Sequence, residues 1–109
     1  MRPFITYKRW ALRDGFGEDK LIELVRTQIV PAYKKLPGCL KLGLQHITGT
    51  RSYLATQYWR SHEMQQTALA ADSYPAWYAV YGPALERWDR LMVFEAEWEC
   101  DEILDENTK

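Results

Sequence analysis

Two spacings of apolar residues divide the first part of this chain into a strand and a helix. Residues 4–12 are rich in β-branched and aromatic side chains and predict a strand, which ends at a turn over residues 14–17. From residue 18 to residue 36, apolar side chains recur at steps of three and four, which predicts a helix. Pro31 should kink that helix or shift its boundary, because proline has no N–H and crowds the preceding turn.

The rest of the chain continues with two strands, two helical segments and a final strand. Their predicted ranges are, in chain order, 39–47, 53–59, 62–71, 76–88 and 91–100. A four-residue connection joins the first two of these strands and suits an antiparallel hairpin. Gly82 and Pro83 predict a break in the second helical segment. Alternation in the final strand predicts that Met92, Phe94, Ala96 and Trp98 share one face, with glutamates on the other.

The element order β-α-β-β-α-β predicts a ferredoxin-like α+β fold, with a four-stranded antiparallel sheet and both helices on one face. The second and third strands nevertheless carry apolar side chains on both faces, and one helical layer covers a single face. We therefore expect a homodimer, in which the uncovered sheet faces of two copies pack together and form a dimeric α+β barrel. Residues 1–109 are interpreted as one domain, with an acidic tail over residues 101–109 that should fray.

Charge and composition exclude several classes of partner and cofactor. The 14 basic and 15 acidic residues give a formal net charge of -1 and form no basic cluster, so we expect no nucleic-acid partner. No apolar run approaches the roughly 20 residues that span a bilayer, and the start lacks the apolar region of a signal peptide. We therefore expect a cytoplasmic protein with no membrane partner. The histidines and cysteines show no metal-ligand spacing, and no glycine-rich phosphate-binding turn occurs, so we expect neither metal nor cofactor.

Trp59 and His46 are the first candidates for a functional site. Residues 56–63 predict a strand that ends in Trp59 and turns at once into a helix. Such a corner lies beside the space between sheet and helices, where small ligands are often held, so Trp59 is a candidate pocket residue; core packing is the alternative. His46 is the candidate general base, since an imidazole titrates near neutral pH. A structural or exposed histidine is the alternative there.

Aromatic side chains also form a stripe along the second helical region, at steps of three and four residues. The stripe is interpreted either as core or as the wall of a ligand pocket, because buried tyrosine hydroxyl and indole N–H groups need partners. The candidate ligand-binding residues are therefore Trp59, Tyr74, Trp77, Tyr78 and Tyr81.

With this element order and the sequence Gln-Tyr-Trp-Arg-Ser at 57–61, the chain resembles the antibiotic biosynthesis monooxygenase-like proteins of the dimeric α+β barrel superfamily. Pro37-Gly38 before the second strand and the aromatic segment around Trp77 are further similarities, and the resemblance covers nearly the whole chain. It implies a fold shared by cofactor-free oxygenases of polycyclic aromatics, haem-degrading enzymes and quinone-handling proteins.

Two departures from that family bear on chemistry. The haem-degrading branch has an axial histidine in the second helical region, where this chain carries Trp77 and Tyr78, and an asparagine in the first strand, where Lys8 is the nearest match. That route to haem ligation is absent. The cofactor-free oxygenases also favour an asparagine beside their tryptophan and tyrosine, whereas the one asparagine here is Asn107 in the tail.

Three functions therefore remain open. The first is a cofactor-independent monooxygenase or related enzyme, in which Trp59 and the tyrosines position an aromatic, quinone-like or polycyclic molecule and His46 assists proton transfer. The second is a non-catalytic binder of small hydrophobic ligands in the same pocket. The third is a structural dimeric barrel with no ligand. A cavity between sheet and helices favours the first two, and a filled core favours the third.

Overall fold

The computed structural model describes residues 2–107, so residues 108 and 109 of the predicted tail lie outside the described residues. The elements are β1 (Phe4–Leu12), α1 (Glu18–Leu24), a π-helical segment (Val25–Ile29), α2 (Val30–Tyr33), β2 (Cys39–His46), β3 (Ser52–Trp59), α3 (His62–Ala70), α4 (Tyr74–Leu91) and β4 (Met92–Asp101). The strands form one antiparallel sheet in the order β2-β3-β1-β4, and the helices pack on one of its faces. The predicted ferredoxin-like α+β fold is confirmed.

The first helical region changes its backbone geometry just before Pro31. α1 passes into the π-helical segment at Val25, and α2 begins at Val30 with Pro31 in its first turn. In a regular α-helix the ring of Pro31 would clash with the carbonyl four residues earlier, and its missing N–H would leave that carbonyl without a partner. The wider π-helical turn accommodates both effects. Proline thus shifts the helix boundary, as the sequence predicts.

The predicted break at Gly82-Pro83 is wrong, because α4 runs without interruption from Tyr74 to Leu91. Pro83 removes one backbone hydrogen bond from the helix, but tertiary packing of the apolar face offsets that loss. Five residues of α4 are buried against the sheet and the other helices: Trp77, Gly82, Ala84, Trp88 and Leu91.

A one-residue bulge interrupts the pairing of β4 with β1. Arg9 pairs with Ala96, whereas the next residue, Trp10, pairs with Phe94, so Glu95 is the extra residue. A bulge of this kind reverses the alternation of side chains along its strand. The single apolar face predicted for β4 is therefore wrong beyond Glu95. Met92 and Phe94 share the face that the helices cover, while Ala96 and Trp98 share the opposite face.

Two clusters of buried side chains fill the space between sheet and helices. One is built around Leu21, Trp88 and Met92, and the other around Phe4, Trp59 and Trp77. Three partly buried side chains pack against both clusters and so mark the region between them: Tyr33, Leu42 and Leu85. On the opposite face of the sheet, which we call the open face, Val93 and Trp98 remain exposed.

Candidate functional site

A cleft of about 270 Å³ lies between the sheet and the helices, in the region where the two buried clusters meet. The three strands β1, β2 and β3 form its floor, and the π-helical segment, α2 and α4 form its walls. Its volume is close to the lower limit of about 300 Å³ for ligand pockets, which suits a small flat molecule. Eight apolar side chains line it: Trp10, Val25, Ile29, Leu42, Leu44, Ala55, Leu85 and Trp88.

Six polar residues also line the cleft, one of which is Thr56 of β3. Lys8 and Gln57 rise from the floor, Tyr33 comes from α2, and Tyr78 and Asp89 come from α4. Lys8, Gln57 and Tyr33 are partly buried, whereas Tyr78 and Asp89 are exposed at the mouth. Apolar walls with a few polar groups are the usual composition of a small-molecule site, in which the polar groups fix the orientation of the ligand.

Trp59 does not line the cleft itself, but it contacts Gln57, which does. The Trp59 side chain is fully buried in the second cluster, and its Nε1 donates a hydrogen bond of 3.1 Å to Oε1 of Gln57. Gln57 lies next to the hydroxyl group of Tyr33. Burial, with smaller contributions from the neighbouring Tyr74 and Cys39, raises the pKa of Tyr33 to about 12, and the Gln57 amide opposes part of this rise. Tyr33 therefore stays protonated at neutral pH and is able to donate a hydrogen bond.

The ring of Tyr78 lies directly over Gly82, one helical turn further along α4. A β-carbon built on Gly82 would lie 3.0 Å from Cε1 of Tyr78 and 3.2 Å from its Cδ1. Glycine at this position therefore makes room for an aromatic ring at the mouth of the cleft. The sequence pattern suggested a helix break at Gly82, but the structure gives this glycine a role in packing.

The other aromatic candidates of α4 pack among themselves, beside the cleft lining. Trp77 is buried, and its Nε1 donates a hydrogen bond of 2.7 Å to the carbonyl oxygen of Ala32 in α2. The rings of Tyr74 and Tyr81 lie on Trp77, with centroids 5.3 and 5.6 Å from its own. Of the predicted ligand-binding residues, the structure brings Tyr78 alone to the cleft lining.

His46 lies at the end of β2, beside the turn to β3 rather than in the cleft lining. It is exposed, its Nε2 is 2.7 Å from the carbonyl oxygen of Thr50, and its ring lies 5.0 Å from that of Tyr53. In the sequence, Lys8 is noted only as the nearest match to the first-strand asparagine of the haem-degrading branch, and not as a site residue. Strand alternation offered a further signal, because Lys8 shares the helix-covered face of β1 with the buried Thr6 and with Trp10.

Residues 2–107 contain neither a membrane-spanning helix nor a cluster of metal-ligating side chains. No helix in that range is long and apolar enough to cross a bilayer. Within the same range, no group of three or more His, Cys, Asp or Glu side chains is placed to hold a metal ion.

Comparison with known proteins identifies solved structures that share this fold. No family model matches the chain, and no curated protein matches it by sequence. Solved structures do match, over almost the entire length of the chain. The chain has the fold of the antibiotic biosynthesis monooxygenase proteins. This architecture is the ABM-like fold.

Three structures illustrate the ABM-like fold. A variant of SnoaB, a cofactor-independent oxygenase from Streptomyces nogalater, has a TM-score of 0.73 at 14% identity, covering 99% of this chain and 100% of SnoaB. HapK from Hahella chejuensis has a TM-score of 0.70 at 8% identity, covering 97% of this chain and 98% of HapK. A candidate antibiotic biosynthesis monooxygenase from Bacillus cereus has a TM-score of 0.63 at 14% identity, covering 99% and 100%. At these identities the similarity establishes the fold alone.

Proposed function

We propose that this chain binds a small flat aromatic molecule in the cleft and promotes its oxidation by dioxygen without a cofactor. The observation that carries the proposal is the cleft itself, with its aromatic and aliphatic walls and few polar groups. The ABM-like fold supports it, since SnoaB is described as a cofactor-independent oxygenase.

The substrate supplies the electrons in such a reaction. A ring methylene that becomes a carbonyl gives four electrons to dioxygen; one oxygen atom enters the carbonyl and the other leaves as water. The protein then has to orient the ring and exclude bulk water. Trp10 and Trp88 stand edge to face in the cleft lining, with centroids 5.4 Å apart, and present aromatic surface to a flat ligand.

A non-catalytic binder is the second candidate, and the position of His46 favours it. That imidazole lies outside the cleft lining, so it does not contact a molecule bound there. The carboxylate that reaches the cleft belongs to Asp89, which is exposed at the mouth. A binder needs no group that accepts a proton, whereas the enzyme would have to use Asp89 or water to accept the proton that the substrate loses.

We also infer that two copies associate through the open face of the sheet. Trp98 is 48% exposed and Val93 is 42% exposed on that face, and they come from the same edge strand. Ala11 of β1 and Leu54 of β3, both partly buried, add further apolar surface on the same face. Exposed apolar patches of this kind mark interaction sites. In a two-fold dimer, a single interface buries the patch of each copy against the same patch of the other.

The proposal is tested by titrating the protein with anthrone and with 1,4-dihydroxynaphthalene. Binding is followed by quenching of tryptophan fluorescence, and oxidation by uptake of oxygen. We expect saturable quenching and faster oxygen uptake than in buffer. Ala55→Phe fills the floor of the cleft and should abolish both effects, while Val80→Phe, on an exposed position of α4, should change neither.

Three outcomes distinguish the candidates. Saturable binding with the oxidation rate of buffer supports the binder and rejects the enzyme. Binding that survives Ala55→Phe in a folded variant places the ligand elsewhere and overturns the assignment of the cleft. Absence of saturable binding at millimolar ligand overturns both functions.

A further inference from the structure

Lys8 occupies a position at which an apolar residue is the rule. It lies at the middle of β1, a strand with neighbours on both sides, and pairs with Ala55 on β3 and Glu97 on β4. Its side chain is on the face covered by the helices and reaches the cleft lining. An ammonium group held among apolar walls loses part of its hydration, which is costly unless an anion compensates it.

The described residues do not supply Lys8 with that anion. Among residues 2–107, the ion pairs within 4.0 Å are Arg9 with Glu95 and Arg51 with Asp14. Glu97 pairs with Lys8 across the strands but is exposed at the sheet edge. Asp89, the other charged side chain of the lining, is exposed at the mouth of the cleft. Lys8 thus brings a positive charge to the cleft without a close negative partner.

We propose that the cleft selects flat aromatic molecules bearing an acidic hydroxyl group, a phenol or an enol, and binds them as anions with the oxygen on the Lys8 ammonium. This inference rests on the proposed function, because it takes the cleft as the ligand site. On ionisation the proton leaves to bulk water. The ammonium donates a charge-assisted hydrogen bond to the oxyanion, and its charge favours the ionised form of the ligand.

Other features of the cleft fit the same ligand. Tyr33 and the Gln57 amide offer additional hydrogen-bond donors close to the floor, where an oxygen on Lys8 would lie. Trp10 and Trp88 provide aromatic surface for the ring system. Ionisation also bears on the proposed reaction, because a phenolate or enolate gives up electrons to dioxygen more readily than its neutral form. Lys8 would then select the substrate and hold it in its reactive state.

The test uses a nitronaphthol whose ionised form absorbs visible light, together with its methyl ether, which cannot ionise. The absorbance of the nitronaphthol is titrated against pH with and without saturating protein. We expect the pKa of the bound probe to fall by about one unit or more, since a cation in contact with an acid produces shifts of that size. Lys8→Met should remove the shift and weaken binding of the anion at least about tenfold.

Matched variants separate charge from structure. Lys8→Arg keeps a cation and should preserve most of the shift, whereas Lys35→Met removes an exposed lysine outside the cleft lining and should leave it unchanged. The methyl ether should bind to the parent protein and to Lys8→Met with equal affinity, which shows that the cleft is intact in the variant.

A bound nitronaphthol whose pKa is unshifted, or shifted equally in the parent protein and Lys8→Met, overturns the role of Lys8 and leaves the cleft as a binding site for neutral aromatics. If neither probe quenches the tryptophan fluorescence of the parent protein, the proposed function fails together with this inference.

Discussion

Gly82→Ala separates the packing of Tyr78 from the intrinsic stability of α4. In a helix interior alanine is more favourable than glycine by about 1 kcal/mol, because glycine loses more conformational freedom on folding. The added methyl group, however, would approach the Tyr78 ring at 3.0 to 3.5 Å, with no nearer atom from elsewhere in the described residues. The ring therefore has to move by a few tenths of an ångström or swing away.

The exposure of Tyr78 sets the cost of that movement. Its side chain is 47% exposed, so it is able to turn towards water with loss of only part of its packing. We expect this loss to offset some or all of the helical gain, so that Gly82→Ala unfolds with a free energy between unchanged and about 1 kcal/mol higher. Urea unfolding followed by circular dichroism measures the change.

The double variant supplies the control. With Tyr78→Ala already present, the ring is gone and Gly82→Ala should give the full gain of about 1 kcal/mol. A larger gain in that background than in the parent protein measures the contact between Tyr78 and Gly82. Equal gains in both backgrounds, or a loss above about 1 kcal/mol in the parent protein, would refute the reasoning. Aromatic ligands should bind to Gly82→Ala with altered affinity, because the displaced ring borders the cleft.

Three further predictions concern other parts of the molecule. Trp77→Phe should lower the free energy of unfolding by about 1 to 2 kcal/mol in urea titrations, because the buried carbonyl of Ala32 loses its indole donor; an unchanged value would contradict that bond. Burial and the hydrogen bond to Glu18 raise the pKa of Tyr53 from 10.0 to about 12. The folded state thus holds this proton more tightly, and the resulting stability is present below pH 10 and lost as the pH rises through 12. The stability difference between the parent protein and Tyr53→Phe should shrink over that interval, and a constant difference would exclude the shift. Sedimentation should give about 26 kDa for the parent protein, twice the chain mass of 12.9 kDa, and the monomer mass for Trp98→Glu; a parent protein that sediments as a monomer would remove the proposed dimer.

The strands were predictable because their signal is local. Residues 4–12 fold as β1 over that same range, and the β-branched and aromatic content that predicts β1 also suits a half-buried sheet. The bulge at Glu95 was not predictable in the same way. The bulge depends on how β4 pairs with β1, and the alternation of apolar and polar residues within β4 does not determine that pairing register.

In the helices and the site, too, features set by local sequence were predictable, and features set by tertiary packing were not. Pro31 correctly indicates a change in the first helix, since proline sterics act within one turn. The local rule fails at Gly82-Pro83, where packing of α4 against the sheet outweighs the missing hydrogen bond. Trp59 is buried beside the cleft and contacts its lining through Gln57, but which aromatic residues of α4 face the cleft depends on the rotation of that helix over the sheet.

The bulge in β4 has a consequence for the comparison of this chain with others of the same fold. Because of Glu95, the strand consists of two blocks of opposite phase, Met92–Phe94 and Ala96–Asp101. If β4 is aligned without a gap against a regular strand, residues of the helix-covered face in one of the two blocks fall opposite residues of the open face. A single-residue gap at position 95 brings both blocks into phase. The loss of this one residue would leave a regular strand in which Ala96 follows Phe94 directly, so Trp98 would still pair with Tyr7 and keep its place on the open face.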